Sequence, residues 1–207
     1  MIKREDIDGL ILAGGRSRRM RAESGPEVDK GLLELDGALL VQRAARFLEP
    51  VVSTVYVSAN RSPDIYGRYG RCIPDDPIFG GDAGPLAGVA SVMAVSRRRW
   101  LLVSPVDVPR PPSDLPQRLA QAVAGGAPLA YAFAGGRAHP LCMLASRELS
   151  EDLRAYLLRG GRKVLDWHER HGAVPVDFGD DAALFSNINT PADWQAAGGK
   201  PAVDGKA

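Results

Sequence analysis

The chain has 207 residues, enough for one domain with a full core. Lys plus Arg number 26 against 25 Asp plus Glu, a formal charge of +1 at pH 7, which argues against a protein that coats nucleic acid. Hydrophobic residues make up 45% and charged residues 25%, as in ordinary soluble proteins, and no apolar run reaches membrane-spanning length.

Residues 1–7 run straight into a strand-like stretch with no signal-peptide cleavage pattern. That stretch is Gly9 to Ala13, a continuous apolar run of the kind buried on both faces of a parallel sheet. A long polar loop follows, from Arg16 to Asp29. Leu32 to Leu35 then meets the turn dipeptide Asp36-Gly37. Leu40, Ala44, Phe47 and Leu48 repeat at helical spacing, and Val55 to Ala59 reads as the next strand.

Cys72 to Pro74 is a short extended segment. Pro85 opens a helix at a tolerated first-turn position, with Leu86, Val89, Ala90 and Met93 as its apolar face. Trp100 to Val103 is a further buried strand, and residues 114–124 read as helical. Leu129 to Phe133 and Pro140 to Leu144 flank Gly135-Gly136, which predicts an antiparallel pair. Leu149, Leu153, Tyr156 and Leu157 mark another helix. Val174 to Phe178 is a last strand, and Thr190 to Trp194 starts a last helix.

This alternation predicts a layered α/β sheet with helices on both faces. Residues 1–197 form one domain in this reading, and 198–207, polar and without periodicity, form a frayed tail. The two cysteines, Cys72 and Cys142, suit neither a metal knuckle nor a disulfide framework. They read as reduced thiols of a cytoplasmic protein, each acting as a small buried hydrophobe.

Ligands of open α/β sheets gather at the carboxyl ends of the strands, so motifs just after strands matter most. Gly14-Gly15 lets the backbone turn sharply and approach a ligand, and successive N–H groups there can cradle a phosphate. Arg16, Arg18 and Arg19 add charge, although neither the GxxxxGK[ST] nor the GxGxxG spacing is present. Lys30 stands at the far end of the same loop, within reach of phosphates held by the first turn. Asp107 follows the most apolar strand, between Pro105 and Pro109, where a carboxylate can offer hard oxygen to Mg²⁺. Taken singly, each has a plainer reading as a surface turn, a solvated charge or a turn aspartate.

Together, Leu12 to Met20 and Asp29 to Leu35 (LAGGRSRRM … DKGLLEL) resemble the nucleotidyltransferases with an LAGG-x-S-x-R-M … K signature, and within them the molybdenum cofactor guanylyltransferase family. The likeness continues through Asn60-Arg61, Ile73 to Asp76, Gly84 to Gly88, Asp107 to Pro109, His139 to Leu141 and Asn187 to Pro191. It is collinear over roughly residues 8–196.

The resemblance implies a three-layer Rossmann-like fold of the nucleotide-diphospho-sugar transferase type, mostly parallel with one antiparallel strand. It implies GMP transfer from GTP to molybdopterin with Mg²⁺ as cofactor. Leu12, Ala13, Gly14, Gly15, Ser58, Asp75 and Gly84 would line the nucleotide. Arg19 and Lys30 would neutralise the triphosphate, Asp107 would bind Mg²⁺, and His139, Asn187 and Asn189 would face the pterin. It also implies a monomer with transient contacts to other cofactor-biosynthesis proteins or acceptor enzymes, and no nucleic-acid or membrane partner. A cytidylyltransferase, a sugar-phosphate nucleotidyltransferase and a non-catalytic nucleotide-binding module stay open as alternatives.

Two departures stand out. Residues 21–28 make the loop before Lys30 several residues longer than the family pattern, which leaves the placing of Lys30 open. Ser58 stands where an asparagine is common, and its hydroxyl can still donate one hydrogen bond.

Overall fold

The computed structural model describes residues 2–13, 29–81 and 83–199. The double-glycine turn, Arg19 and the residues after it up to 28 lie outside that set, as does 200–207. A seven-stranded sheet forms the centre, built from β1 (Ile7–Leu12), β4 (Val55–Ser58), β5 (Arg71–Ile73), β6 (Trp100–Pro105), β7 (Leu129–Ala134), β8 (Arg137–Ser146) and β9 (Val174–Asp177). The small hairpin β2 (Glu34–Leu35) and β3 (Ala38–Leu39) stands apart from it.

The strand order is β5-β4-β1-β6-β8-β7-β9, and β8 alone runs against the rest. This is the mostly parallel sheet with one antiparallel strand that the resemblance implies. The central strands β1 and β6 are buried along their whole length, which explains why they read as continuous apolar runs.

The two sheet faces carry separate cores. Helices α1 (Leu40–Leu48), α4 (Leu115–Val123) and α7 (Pro191–Ala196) cover one face, with α1 contributing Leu40, Val41, Ala44 and Leu48. Helices α3 (Pro85–Val95) and α5 (Ser150–Leu158) cover the other, joined by Trp167 of α6 (Val164–Arg170). The short helix α2 (Pro63–Tyr66) follows β4 and sends Tyr66 into the first core.

Turn chemistry explains both tight hairpins. Asp36 and Gly37 have φ of 50° and 74°, and Gly135 and Gly136 have 55° and 71°. Paired left-handed residues give the turn whose twist matches that of the strands. Two elements have no clear mark in the sequence: α2 and α6 are short and lie beside glycines. Strand β8 is longer than Pro140 to Leu144 predicts. Its pairing with β7 jumps from Tyr131↔Met143 to Ala132↔His139, a bulge that accommodates a proline unable to donate to the ladder. Of the cysteines, Cys142 is buried as expected, while Cys72 on the edge strand β5 is only half-buried. Gly199 still belongs to the packed structure, donating its N–H to the Trp194 carbonyl at 2.8 Å. No helix among the described residues is long and apolar enough to cross a membrane.

Candidate active site

β1 lies between β4 and β6, which the chain reaches by crossovers in opposite directions, so the crevice above its carboxyl end is a topological switch point. Backbone bonds tie the three strand exits together. Ala13 donates to the Ser58 carbonyl at 3.0 Å, and Val106 donates to the Leu12 carbonyl at 3.2 Å. Leu12 and Ala13 therefore form the floor of the crevice, between the segments that carry Ser58 and Asp107.

On the β6 side, Lys30 and Asp107 meet. Lys30 Nζ lies 3.8 Å from Asp107 Oδ2 and donates a 2.9 Å hydrogen bond to Asn189 Oδ1. All three side chains are partly exposed. Burial pushes the Asp107 carboxyl above its ordinary range, and the Lys30 ammonium pulls against that. Ile188 is buried and donates its N–H to the Asp107 carbonyl at 2.8 Å, so the loop carrying Asn187 and Asn189 is docked directly on the aspartate. Asp193 closes the far end of this loop, accepting from the Asn189 and Thr190 N–H groups at 2.9 and 2.8 Å while Thr190 Oγ1 caps α7.

On the β4 side, Asp75 is held by three bonds. Ser58 Oγ donates to its Oδ1 at 3.2 Å, Asn60 Nδ2 donates to its Oδ2 at 2.8 Å, and its own N–H donates to Asn60 Oδ1 at 2.8 Å. Gly88 of α3 packs on this group: a Cβ there would overlap Ser58 Oγ and lie 3.2 Å from Leu12 Cδ2. Gly84 precedes α3 with φ of 74°, a conformation that favours glycine.

His139 sits apart from the exposed groups. It is 6% exposed, and its ring stacks on Phe185 with centroids 4.7 Å apart. Burial, and then the nearby Arg137, lower its pKa and keep the imidazole neutral. His139 Nε2 and Asn187 Oδ1 are both buried without a hydrogen-bond partner among the described residues. The Arg159 to Lys163 segment, which follows α5, is in part a brace. Arg162 donates to the Leu157, Gly161 and Phe79 carbonyls at 2.8, 2.7 and 3.2 Å.

The crevice thus brings together Leu12, Ala13, Lys30, Ser58, Asp75, Asp107 and Asn189 of the residues singled out by sequence. Gly14, Gly15 and Arg19 lie outside the described residues. Sequence reasoning missed the roles of Asn60, Phe185, Asp29 and Tyr66. Asn60 and Asp29 lie inside motifs already noted, with no role of their own read there. Phe185 and Tyr66 carry no spacing signal, because they act through packing across the fold.

A mostly parallel sheet with a lysine and an aspartate over its switch point is the architecture of a nucleotidyltransferase. A model of the MobA-like NTP transferase domain matches residues 9–173, and the chain belongs to that family. Among its relatives, a molybdenum cofactor guanylyltransferase of Yersinia pestis is 41% identical over 188 residues, 91% of this chain and 93% of the relative. One of Shewanella amazonensis is 38% identical over 186 residues, covering 89% and 92%. The crystal structure of the molybdopterin-guanine dinucleotide biosynthesis protein A of Archaeoglobus fulgidus shares the fold. Its TM-score is 0.74 at 21% identity, covering 92% of this chain and 96% of that one.

Proposed function

We propose that this enzyme transfers GMP from GTP to molybdopterin and releases pyrophosphate. The observation that carries the reading is the Lys30–Asp107–Asn189 cluster over the strand ends. One ammonium, one carboxylate and one amide meet there, beyond the carboxyl end of β6. The names of relatives near 40% identity supply the substrates.

In this reading a terminal phosphate oxygen of molybdopterin attacks the α-phosphorus of GTP. The bond from that phosphorus to the bridging oxygen breaks, and pyrophosphate carries the electron pair away. No protein nucleophile is needed. The chain's work is to hold two polyanions together and offset their repulsion. Lys30 and Arg19 neutralise the triphosphate, and the backbone from Leu12 to Gly15 carries the nucleotide. Ser58, Asn60 and Asp75 place the nucleoside end. Gly14, where the related cytidylyltransferases carry an alanine, would favour the larger purine. In this reading Asn189 faces the pterin, with Asn187 and His139 behind it.

Asp107 suits a magnesium ion. It is a single carboxylate at an open crevice, and the described residues hold no group of three His, Cys, Asp or Glu that could cage a metal alone. Mg²⁺ is commonly held in this way, by one or two carboxylates plus substrate phosphates. When bound there it would supply positive charge to the phosphate oxygens. The reading also carries a cytoplasmic, monomeric enzyme.

The deciding experiment supplies the purified chain with Mg²⁺, molybdopterin and either GTP or CTP. Pyrophosphate and a guanine dinucleotide product are expected with GTP. Preference for CTP would move the enzyme to the cytidylyl class, and binding of GTP without turnover would make it a non-catalytic module.

A further inference from the structure

Lys30 is useful only if its ammonium is held over the strand ends, yet the backbone around it is a single short 3-10 turn, Lys30–Leu32. No side chain caps that turn. The Asp29 carboxylate, which stands at the cap position, is turned instead toward α2, where it accepts a hydrogen bond from the Tyr66 hydroxyl. The same tyrosine covers the other flank of the lysine. Gly31 is buried against it, and a Cβ at position 31 would overlap the hydroxyl and lie 3.0 Å from Tyr66 Cε1. Tyr66 thus grips the residues before and after Lys30 with one ring, leaving only the lysine side chain to project toward Asp107 and Asn189.

Tyr66 is itself well anchored. It is 1% exposed, and its N–H donates to the Ser62 carbonyl at 3.1 Å. Burial, and then the bond to Asp29, push the phenol well above its ordinary pKa, so it remains a donor at any working pH. The segment from Ser58 to Tyr66 therefore has two tasks. Its first residues, Ser58 and Asn60, hold Asp75, and its last holds the turn that carries Lys30. One short piece of chain fixes the spacing between the nucleoside end and the phosphate end of the crevice.

We propose that Tyr66, through Asp29 and Gly31, is the positioning residue that sets Lys30 against the triphosphate. Lys30 is the residue whose preceding loop departs from the family pattern in sequence, and the clamp holds both of its chain neighbours. The inference rests on the nucleotide reading above, but one arm of its test does not.

The test compares the full-length enzyme with Tyr66→Phe, which keeps the ring and removes the hydroxyl, and with Asp29→Ala. In the first arm, Lys30 modification by an amine-reactive reagent is followed by mass spectrometry without nucleotide. Both variants are expected to react faster at Lys30 and at wild-type rates at the exposed Lys3. In the second arm, binding of GTP and of guanosine is measured. GTP should weaken about tenfold, the fold-change for losing a hydrogen bond to a charged group. Guanosine, which has no phosphate, should bind as before. The double variant should bind GTP no worse than the weaker single one, because both changes break one contact. Equal losses for GTP and guanosine would mean a general structural effect and overturn the proposal, as would unchanged reactivity at Lys30. If the parent enzyme binds no GTP at all, the nucleotide reading fails while the first arm still decides the clamp. Should Tyr66→Phe not fold, Asp29→Ala alone carries both arms.

Discussion

Lys30 donates to Asn189 Oδ1 at 2.9 Å across 159 residues of chain. The lysine comes from the turn after the first loop and the amide from the last loop of the fold, so the contact forms only when the domain is complete. Lys30→Ala removes a charge set against a triphosphate, and turnover should fall at least about a hundredfold, the usual size for a preorganised electrostatic group. Asn189→Ala leaves the charge and removes one bond that orients it, so about a tenfold loss is expected. Pyrophosphate release under saturating GTP ranks the two. An Asn189→Ala loss as large as that of Lys30→Ala would mean the amide itself touches the reacting groups.

Asp107 presents the opposite balance. Its carboxyl is raised by burial, with Lys30 opposing, so the ionised form is disfavoured in the folded state. The sign follows: the penalty is absent below the ordinary carboxylate pKa and grows as pH rises above it. Asp107→Asn removes the penalty at neutral pH, and the variant should melt at an equal or higher temperature than the parent. It also loses the carboxylate that pairs with Lys30, so Mg²⁺-dependent turnover should vanish. This is the trade between stability and activity expected of a functional charge. Calorimetry with the same sample used for turnover checks both halves. A variant that melts lower would give the carboxylate a structural duty instead.

The fold was largely legible in the sequence because its central strands are buried on both faces, and burial of that kind writes unbroken apolar runs such as Gly9 to Ala13 and Trp100 to Val103. Short elements were not. The helix α6 has seven residues, and nothing in their order sets them apart from a loop. Within the crevice, Lys30 and Asp107 were visible because a charge beside an apolar run stands out, and Asp75 only through the resemblance. Tyr66 and Phe185 were not, since an aromatic residue that braces a neighbour looks the same in sequence as one that only fills the core. The contact that gives each its meaning, Asp29 for one and His139 for the other, lies far away along the chain.

Gly88 is where helix and sheet come closest beneath the Asp75 group. A Cβ there would overlap Ser58 Oγ and stand 2.9 Å from Ser58 Cβ, both on a buried strand end that cannot move far. Gly88→Ala should therefore destabilise the domain by about 2 kcal/mol, the usual cost of overpacking a tight site. It should also push the Ser58 hydroxyl off Asp75. Urea unfolding measures the first effect, and guanosine binding to the folded fraction measures the second. Ala-for-Gly replacement in a helix is otherwise favourable by propensity, so a stabilised variant would show that β4 yields at this point.

His168 gives the domain an acid-sensitive core. It is 1% exposed, its Nε2 lies 3.3 Å from Met143 Sδ, and its ring sits 4.9 Å from that of Tyr131. Burial, with the nearby His171 adding to it, pushes its pKa from 6.5 down to about 4. In the unfolded chain the imidazole takes up its proton near the ordinary value, so between the two the unfolded state binds more protons. Its contribution is complete above about pH 6.5 and is lost as pH falls toward about 4. The gap corresponds to roughly 3 kcal/mol of stability. His168→Leu places an apolar side chain in the same surroundings and removes the titration. Between pH 7 and pH 4.5 the variant should lose less unfolding free energy than the parent in urea titrations, even if it starts lower because of imperfect packing. Parallel losses in the two proteins would assign the acid sensitivity to other groups.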